Sequence, residues 1–153
     1  MSTNAPTDQA TPDYTKEVVV HATPASVFDA IATIEGLRGW WTPLVSGSTD
    51  VGSDIRFDFE GLDEHVVMRI DEATAPLRVH WTCIAHTGHP EWIATQPIFE
   101  IVSVGEHDTA LDFRHVGLAP ALSCYQQCER GWNHFLASIV AYVEFGRGTP
   151  FGS

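Results

Sequence analysis

Residues 123–150 read SCYQQCERGWNHFLASIVAYVEFGRGTP. At 100° per residue, Tyr125, Cys128, Trp132, Leu136, Ile139 and Val143 fall within about 40° of one line, the apolar stripe of an amphipathic helix. Cys124, Phe135 and Tyr142 flank that line, and His134 falls on the opposite side. The stripe runs for about five turns, roughly 30 Å, enough to span a sheet. Gly146, Gly148 and Pro150 then stop the helix. A helix this long and this one-sided needs an apolar surface to cover, and the chain upstream supplies one.

Immediately before it, ALDFRHVGL alternates, with Leu111, Phe113 and His115 pointing one way. Further upstream, WIATQPIFEIVSV places Phe99 and Ile101 on a shared face. PLRVHWTC sets Leu77, Val79, Trp81 and Cys83 opposite Arg78, His80 and Thr82. EHVVMRIDEA carries Val66, Met68 and Ile70 on one side, with Arg69 toward solvent, and SDIRFDFEG alternates cleanly. No helical segment interrupts these strands, so hairpins and an antiparallel sheet are expected. KEVVVH, residues 16–21, reads as a first strand. A helix follows from Pro24, capped by Thr23, with Val27, Phe28 and Ile31 on its apolar edge. IEGLRGWW is a second short helix or turn ending at Pro43. The predicted order is β–α–α–β–β–β–β–β–α, an α+β fold in which a curved antiparallel sheet wraps a long C-terminal helix. A single helix does not fill the concavity of a strongly curved sheet, so a cavity between them is expected.

At 153 residues the chain fits one domain over residues 14–150, preceded by a polar, disordered tail over residues 1–13. Twenty acidic residues against eight basic ones give a net charge of -12, which disfavours nucleic acid and anionic membranes as partners. No apolar run approaches the roughly 18 residues that cross a bilayer. The N-terminus has neither a basic start nor an apolar segment, so a cytoplasmic location is expected. Six acids between Asp50 and Glu64 lack the spacing and central glycine of a calcium loop and read as a wet strand face.

Four stretches carry a resemblance: VVVHATPASVFDAIA, the WW pair, LDFRHVGL, and the ending GWNHFLASIVAYVEFGRGTP. In their order and spacing the chain resembles the family named for homology to the activator of the heat-shock-protein-90 ATPase. That family lies within the superfamily of START lipid-transfer domains, polyketide cyclases and birch-pollen allergens. The resemblance covers roughly Lys16 to Pro150 and implies the helix-grip fold. The superfamily includes carriers, receptors and cyclases, so fold alone does not choose a function.

His115 alternates with Leu111 and Phe113, so it faces inward, either as a hydrogen-bonded core histidine or as a cavity group that shuttles a proton. It is the candidate catalytic residue. The expected ligand-binding wall is Trp41, Phe57, Phe59, Met68, Trp81, Cys83, Phe99, Phe113, His115, Tyr125, Cys128, Trp132 and Phe135. One of Trp40 and Trp41 is expected to pack inward while the other stands half-exposed at the entrance. Cys124 and Cys128 share a helix face, but His134 points away, and the three cysteines read as reduced core thiols. Cys83 and His115, sharing the sheet's inward face, leave a cross-site open. His86 and His89 read as solvated loop residues without a third ligand nearby. No metal and no cofactor are expected. The leading expectation is a protein that binds a small apolar or aromatic molecule; the sequence does not set its oligomeric state, and a homodimer is one assembly open to it. An enzyme of cyclase, hydrolase or lyase type using His115 is the alternative, and the family name implies a chaperone partner.

Overall fold

A computed structural model of the chain describes residues 13–152. The elements are β1 (Tyr14–Val20), α1 (Pro24–Ala32), α2 (Ile34–Trp40), β2 (Leu44–Gly47), β3 (Asp54–Asp58), β4 (His65–Thr74), β5 (Arg78–His86), a 3-10 turn (Pro90–Trp92), β6 (Gln96–Ser103), β7 (Thr109–Val116) and α3 (Tyr125–Phe145). The seven strands form one curved antiparallel sheet in the order β1-β7-β6-β5-β4-β3-β2. This is the helix-grip arrangement that the resemblance implies. The tail expected over residues 1–13 lies outside the described residues except for Asp13, whose carboxylate accepts hydrogen bonds from Arg114 and from the Gly117 N–H.

The local signals act as their chemistry demands. Thr23 accepts from the Ser26 N–H at 3.2 Å and opens α1. Thr33 serves two helices: its hydroxyl donates to the Asp29 carbonyl at the end of α1 and accepts from the Gly36 N–H at the start of α2. The Trp40 indole N–H reaches the Ala30 carbonyl at 2.7 Å and locks the two helices together. Gly146 closes α3 with φ 79°, a left-handed conformation that costs a side chain and that glycine adopts freely. Beyond it the chain turns back: Thr149 N–H donates to Ser138 Oγ, and Phe151 N–H donates to the Trp41 carbonyl.

Two irregularities between β4 and β5, at Val67/Met68 and Ile70/Glu72, bend the sheet around α3. The helix buries Cys128, Trp132, Leu136 and Ile139 against it, along the predicted line. The concavity is filled by rings rather than left open. Trp132 lies 4.3 Å from Phe113 and 5.3 Å from Trp41, centroid to centroid, and Trp81 packs edge-on against Phe99 at 4.9 Å.

The structure departs from the sequence reading in several places. β2 is an additional strand; it is too short and too rich in Ser and Gly to show a period, and it exists by pairing Val45 with Phe57. β6 begins at Gln96 rather than Trp92, because Pro90 starts a 3-10 turn that turns Trp92 inward. Leu77 precedes β5 and is exposed, while β5 continues to His86, which is therefore a buried strand residue and not a solvated loop one. Trp40 and Trp41 are both buried; neither stands half-exposed, since α2 folds under the sheet's end and stacks the two indoles 5.6 Å apart.

Candidate functional site

His115 sits at the centre of a buried polar chain. Trp132 Nε1–H donates to its Nδ1 at 3.0 Å, so Nδ1 carries the lone pair and Nε2 the hydrogen. Nε2–H then donates to Thr95 Oγ1 at 2.7 Å, and that hydroxyl donates to the Trp92 carbonyl at 2.5 Å. The direction of every bond follows from the indole, which can only donate. Burial pushes the imidazole pKa down to about 3, with Asp13 acting weakly in the opposite sense and His86 adding to the depression. The ring is neutral, enclosed in the core and bonded through both nitrogens, so neither nitrogen faces open space. His115 is thus placed as a core histidine. Acid or base chemistry at His115 would require Thr95 or Trp132 to give up its bond to the ring.

Open space lies at one end of the grip, where the start of α3 faces the β3–β4 connection and the 3-10 turn. A cleft of about 170 Å³ is walled there by Trp41, Phe59, Trp92, Trp132, Phe135 and Phe151, with Leu62 and Val66 completing the apolar lining. Its polar members are Glu64, His86, His89 and Gln127. Phe151, carried in by the returning C-terminal segment, meets Phe59 edge-on at 5.2 Å. His86 accepts the His89 N–H at its Nδ1, 2.9 Å away, which leaves Nε2 to hold the hydrogen. Burial lowers its pKa to about 4, so it is neutral at physiological pH and able to donate from that nitrogen.

Of the expected wall, Trp41, Phe59, Cys128, Trp132 and Phe135 line this cleft. Phe57, Met68, Trp81, Cys83, Phe99, Phe113 and His115 lie in the packed core beneath it, and Tyr125 lies outside the lining, partly buried. They point inward as the alternation says, but the rings of the helix and the sheet meet there and close the space. Burial raises the Cys83 thiol to about 11, and its S–H faces the Ala85 carbonyl. Trp92, His86 and Phe151 were not among the expected residues. The signal for Trp92 was His-Pro-Glu-Trp, with proline at a helical first position; none marked Phe151.

The cysteines of α3 have a third neighbour. The ligand-capable atoms of His89, Cys124 and Cys128 all lie within 4.8 Å of one another, and they form the one such metal-competent group among the described residues. Cys83 and His115 do not join it. No helix among the described residues is long and apolar enough to cross a membrane.

Comparison with known proteins gives a family match over residues 21–144, to a model described as Activator of Hsp90 ATPase homolog 1-like protein. A search of curated proteins finds no match. Among solved structures, the Aha1 dimer of Colwellia psychrerythraea is 27% identical, with a TM-score of 0.77 over 89% of this chain and 98% of that one. An Hsp90 activator from Plasmodium falciparum is 17% identical, with a TM-score of 0.68 over 84% of this chain and 93% of that one. A conserved protein of unknown function from Enterococcus faecalis is 16% identical, with a TM-score of 0.69 over 95% and 79%.

Proposed function

The chain belongs to the family of activator of Hsp90 ATPase homolog 1-like proteins, within the START-like superfamily, and from that premise we propose that it binds a small aromatic or short apolar molecule in the cleft beside α3. The observation that carries this reading is the ring-lined cleft itself, open at one end of an otherwise filled grip. Its size sets the ligand class. At about 170 Å³ it is close to the roughly 150 Å³ cavity that accepts benzene, and well short of the roughly 300–1,000 Å³ of drug-sized pockets. One ring fits; a lipid chain or a polycyclic body has to project into solvent.

Burying about 150 Å² of ligand surface supplies ~4 kcal/mol, the scale of a millimolar complex before ordering costs. Tighter binding has to draw on the polar members, with the His86 ring and the Gln127 amide as the groups able to orient a hydroxyl or carbonyl. The assembly corresponding to the Colwellia Aha1 dimer is a homodimer of this chain.

The test is a melting-temperature screen of the full chain against single-ring aromatic compounds at millimolar concentration, repeated with Phe135→Arg. Stabilisation of the wild-type chain that the arginine variant loses supports the reading. Absence of any shift across the screen contradicts it and favours a role exerted through the outer surface, as the family description suggests for a partner of an ATPase.

A further inference from the structure

Three side chains from two distant parts of the sequence converge beside the cleft, and two of them line it. His89 stands at the entry to the 3-10 turn, Cys124 caps the start of α3, and Cys128 lies one turn further along. The i, i+4 spacing places both sulfurs on one helix face, and the turn between β5 and β6 brings the imidazole to them.

The surrounding hydrogen bonds hold this meeting in place. Glu91, two residues after His89, accepts from the Ser123 and Cys124 N–H groups at 3.3 and 3.2 Å and from the Ser123 hydroxyl at 3.0 Å, pinning the turn to the helix start. The Trp92 indole N–H donates to Cys128 Sγ at 3.2 Å. The His89 N–H donates to His86, so the backbone carrying the imidazole is anchored as well. An N–H directed at sulfur strengthens when the thiol becomes a thiolate, and such outer bonds orient metal ligands in known sites.

We propose that His89, Cys124 and Cys128 bind a single Zn²⁺ ion, with the fourth coordination position directed toward the cleft. Two thiolates and an imidazole are soft donors that suit zinc and do not suit calcium or magnesium. Three protein ligands with one exchangeable position is the arrangement of zinc sites that keep an open face. His89 and Cys128 both line the cleft, which is why the open face is there. Zinc–sulfur bonds of about 2.3 Å and zinc–nitrogen bonds of about 2.0 Å require the donors to draw in by ~1 Å from their present spread, a side-chain adjustment. As the ion binds, each thiol releases its proton to solvent, and the two thiolates balance the dication; the neutral imidazole contributes a lone pair. The alternative is that the two thiols are small apolar fillers at the helix start. That account gives no role to the histidine set against them.

The site is independent of the organic-ligand reading, because metal binding is measured with the cleft otherwise untouched. Full-length protein, treated with chelator and kept reduced by a phosphine, is titrated with Co²⁺ as the spectroscopic probe and then with Zn²⁺. The expected result is one Co²⁺ per chain with sulfur-to-metal charge-transfer absorption, abolished by one equivalent of Zn²⁺. Cys124→Ser, Cys128→Ser and His89→Ala should each weaken binding by at least about tenfold, the lower end of what outer-sphere changes alone cost. His107→Gln, an exposed histidine elsewhere, should leave it unchanged. Circular dichroism of the metal-free variants separates lost ligation from lost fold, and His89→Ala, outside the buried core, tests the site even where a cysteine variant unfolds. No charge-transfer absorption at excess Co²⁺ with all thiols reduced, or absorption that persists unaltered in His89→Ala, overturns the proposal.

Discussion

Trp132 Nε1 lies 3.0 Å from His115 Nδ1, and this single bond decides how the middle of the core is read. Because indole only donates, it fixes the histidine tautomer, and the remaining N–H is committed to Thr95. Replacing Trp132 by Phe leaves a buried lone pair without a donor. The expected cost is about 1–3 kcal/mol beyond the loss of packing. In urea denaturation, Trp132→Phe combined with His115→Leu should cost less than the sum of the two single changes, since the double variant strands neither the indole N–H nor the imidazole lone pair. Simple additivity contradicts the bond.

Acidification should weaken the fold through the same residue. In the unfolded chain a histidine takes up a proton below about pH 6.5, whereas folded His115 stays neutral down to about 3. The stabilisation is complete above pH 6.5 and is lost as pH falls toward 3, at up to about 1.4 kcal/mol per pH unit. Asp58 and Glu91, held low by their hydrogen bonds from Arg56 and from Cys124 and Ser123, come into play only nearer pH 4 and below. His21, raised by its exposed bond to Asp108, acts in the opposite sense where solvent screens it. Chemical denaturation at intervals between pH 4 and 7 should show the slope, and His115→Gln should reduce it to the share of His86, whose folded pKa of about 4 acts in the same sense.

Gly39 carries the weight of a close approach. A Cβ built there would stand 2.2 Å from a ring carbon of Tyr142, so α2 and α3 touch through a missing side chain. Gly39→Ala should therefore destabilise by about 1–3 kcal/mol, as overpacking does. Introduced into a Tyr142→Leu background it should cost markedly less, a coupling that equilibrium unfolding of the four chains measures.

Much of this architecture is legible in the sequence, and for definite reasons. Leu111, Phe113 and His115 alternate because one face of β7 is buried, and the stripe from Cys128 to Ile139 repeats because α3 lies on a sheet. Thr23 and Pro24 announce a helix by capping chemistry that needs no tertiary partner. What the sequence does not reveal is where the concavity fails to close. Phe57, Trp81, Phe99 and Phe113 carry the same inward signature whether they fill a core or line a pocket, and only the interlocking of the first two with Trp41 and of the last two with Trp132 decides. His89 is separated from Cys124 and Cys128 by more than thirty residues of loop and strand, so no local period could show that it meets them. Phe151 comes into the cleft because the segment after Gly146 folds back on Ser138 and Trp41, a purely tertiary event.

That returning segment gives a further prediction. Phe151→Ala removes the edge contact with Phe59 and one wall of the cleft. Stability should fall by about 1 kcal/mol, the worth of such an aromatic pair, while affinity for a single-ring ligand falls several-fold. A chain that loses stability but binds unchanged places the ligand elsewhere.

The most direct test of the cleft as a binding site uses the five tryptophan side chains as reporters. Indole N–H resonances of Trp41, Trp92 and Trp132 arise from rings that line the cleft, whereas Trp40 is bonded to the Ala30 carbonyl and Trp81 is buried without an acceptor, both outside the lining. Titrating isotope-labelled protein with single-ring aromatic compounds should shift the first three signals along a saturable curve and move the other two little. Saturable shifts confined to Trp40 and Trp81, or no shift in any indole up to the solubility of the compounds, would contradict a ligand cleft beside α3.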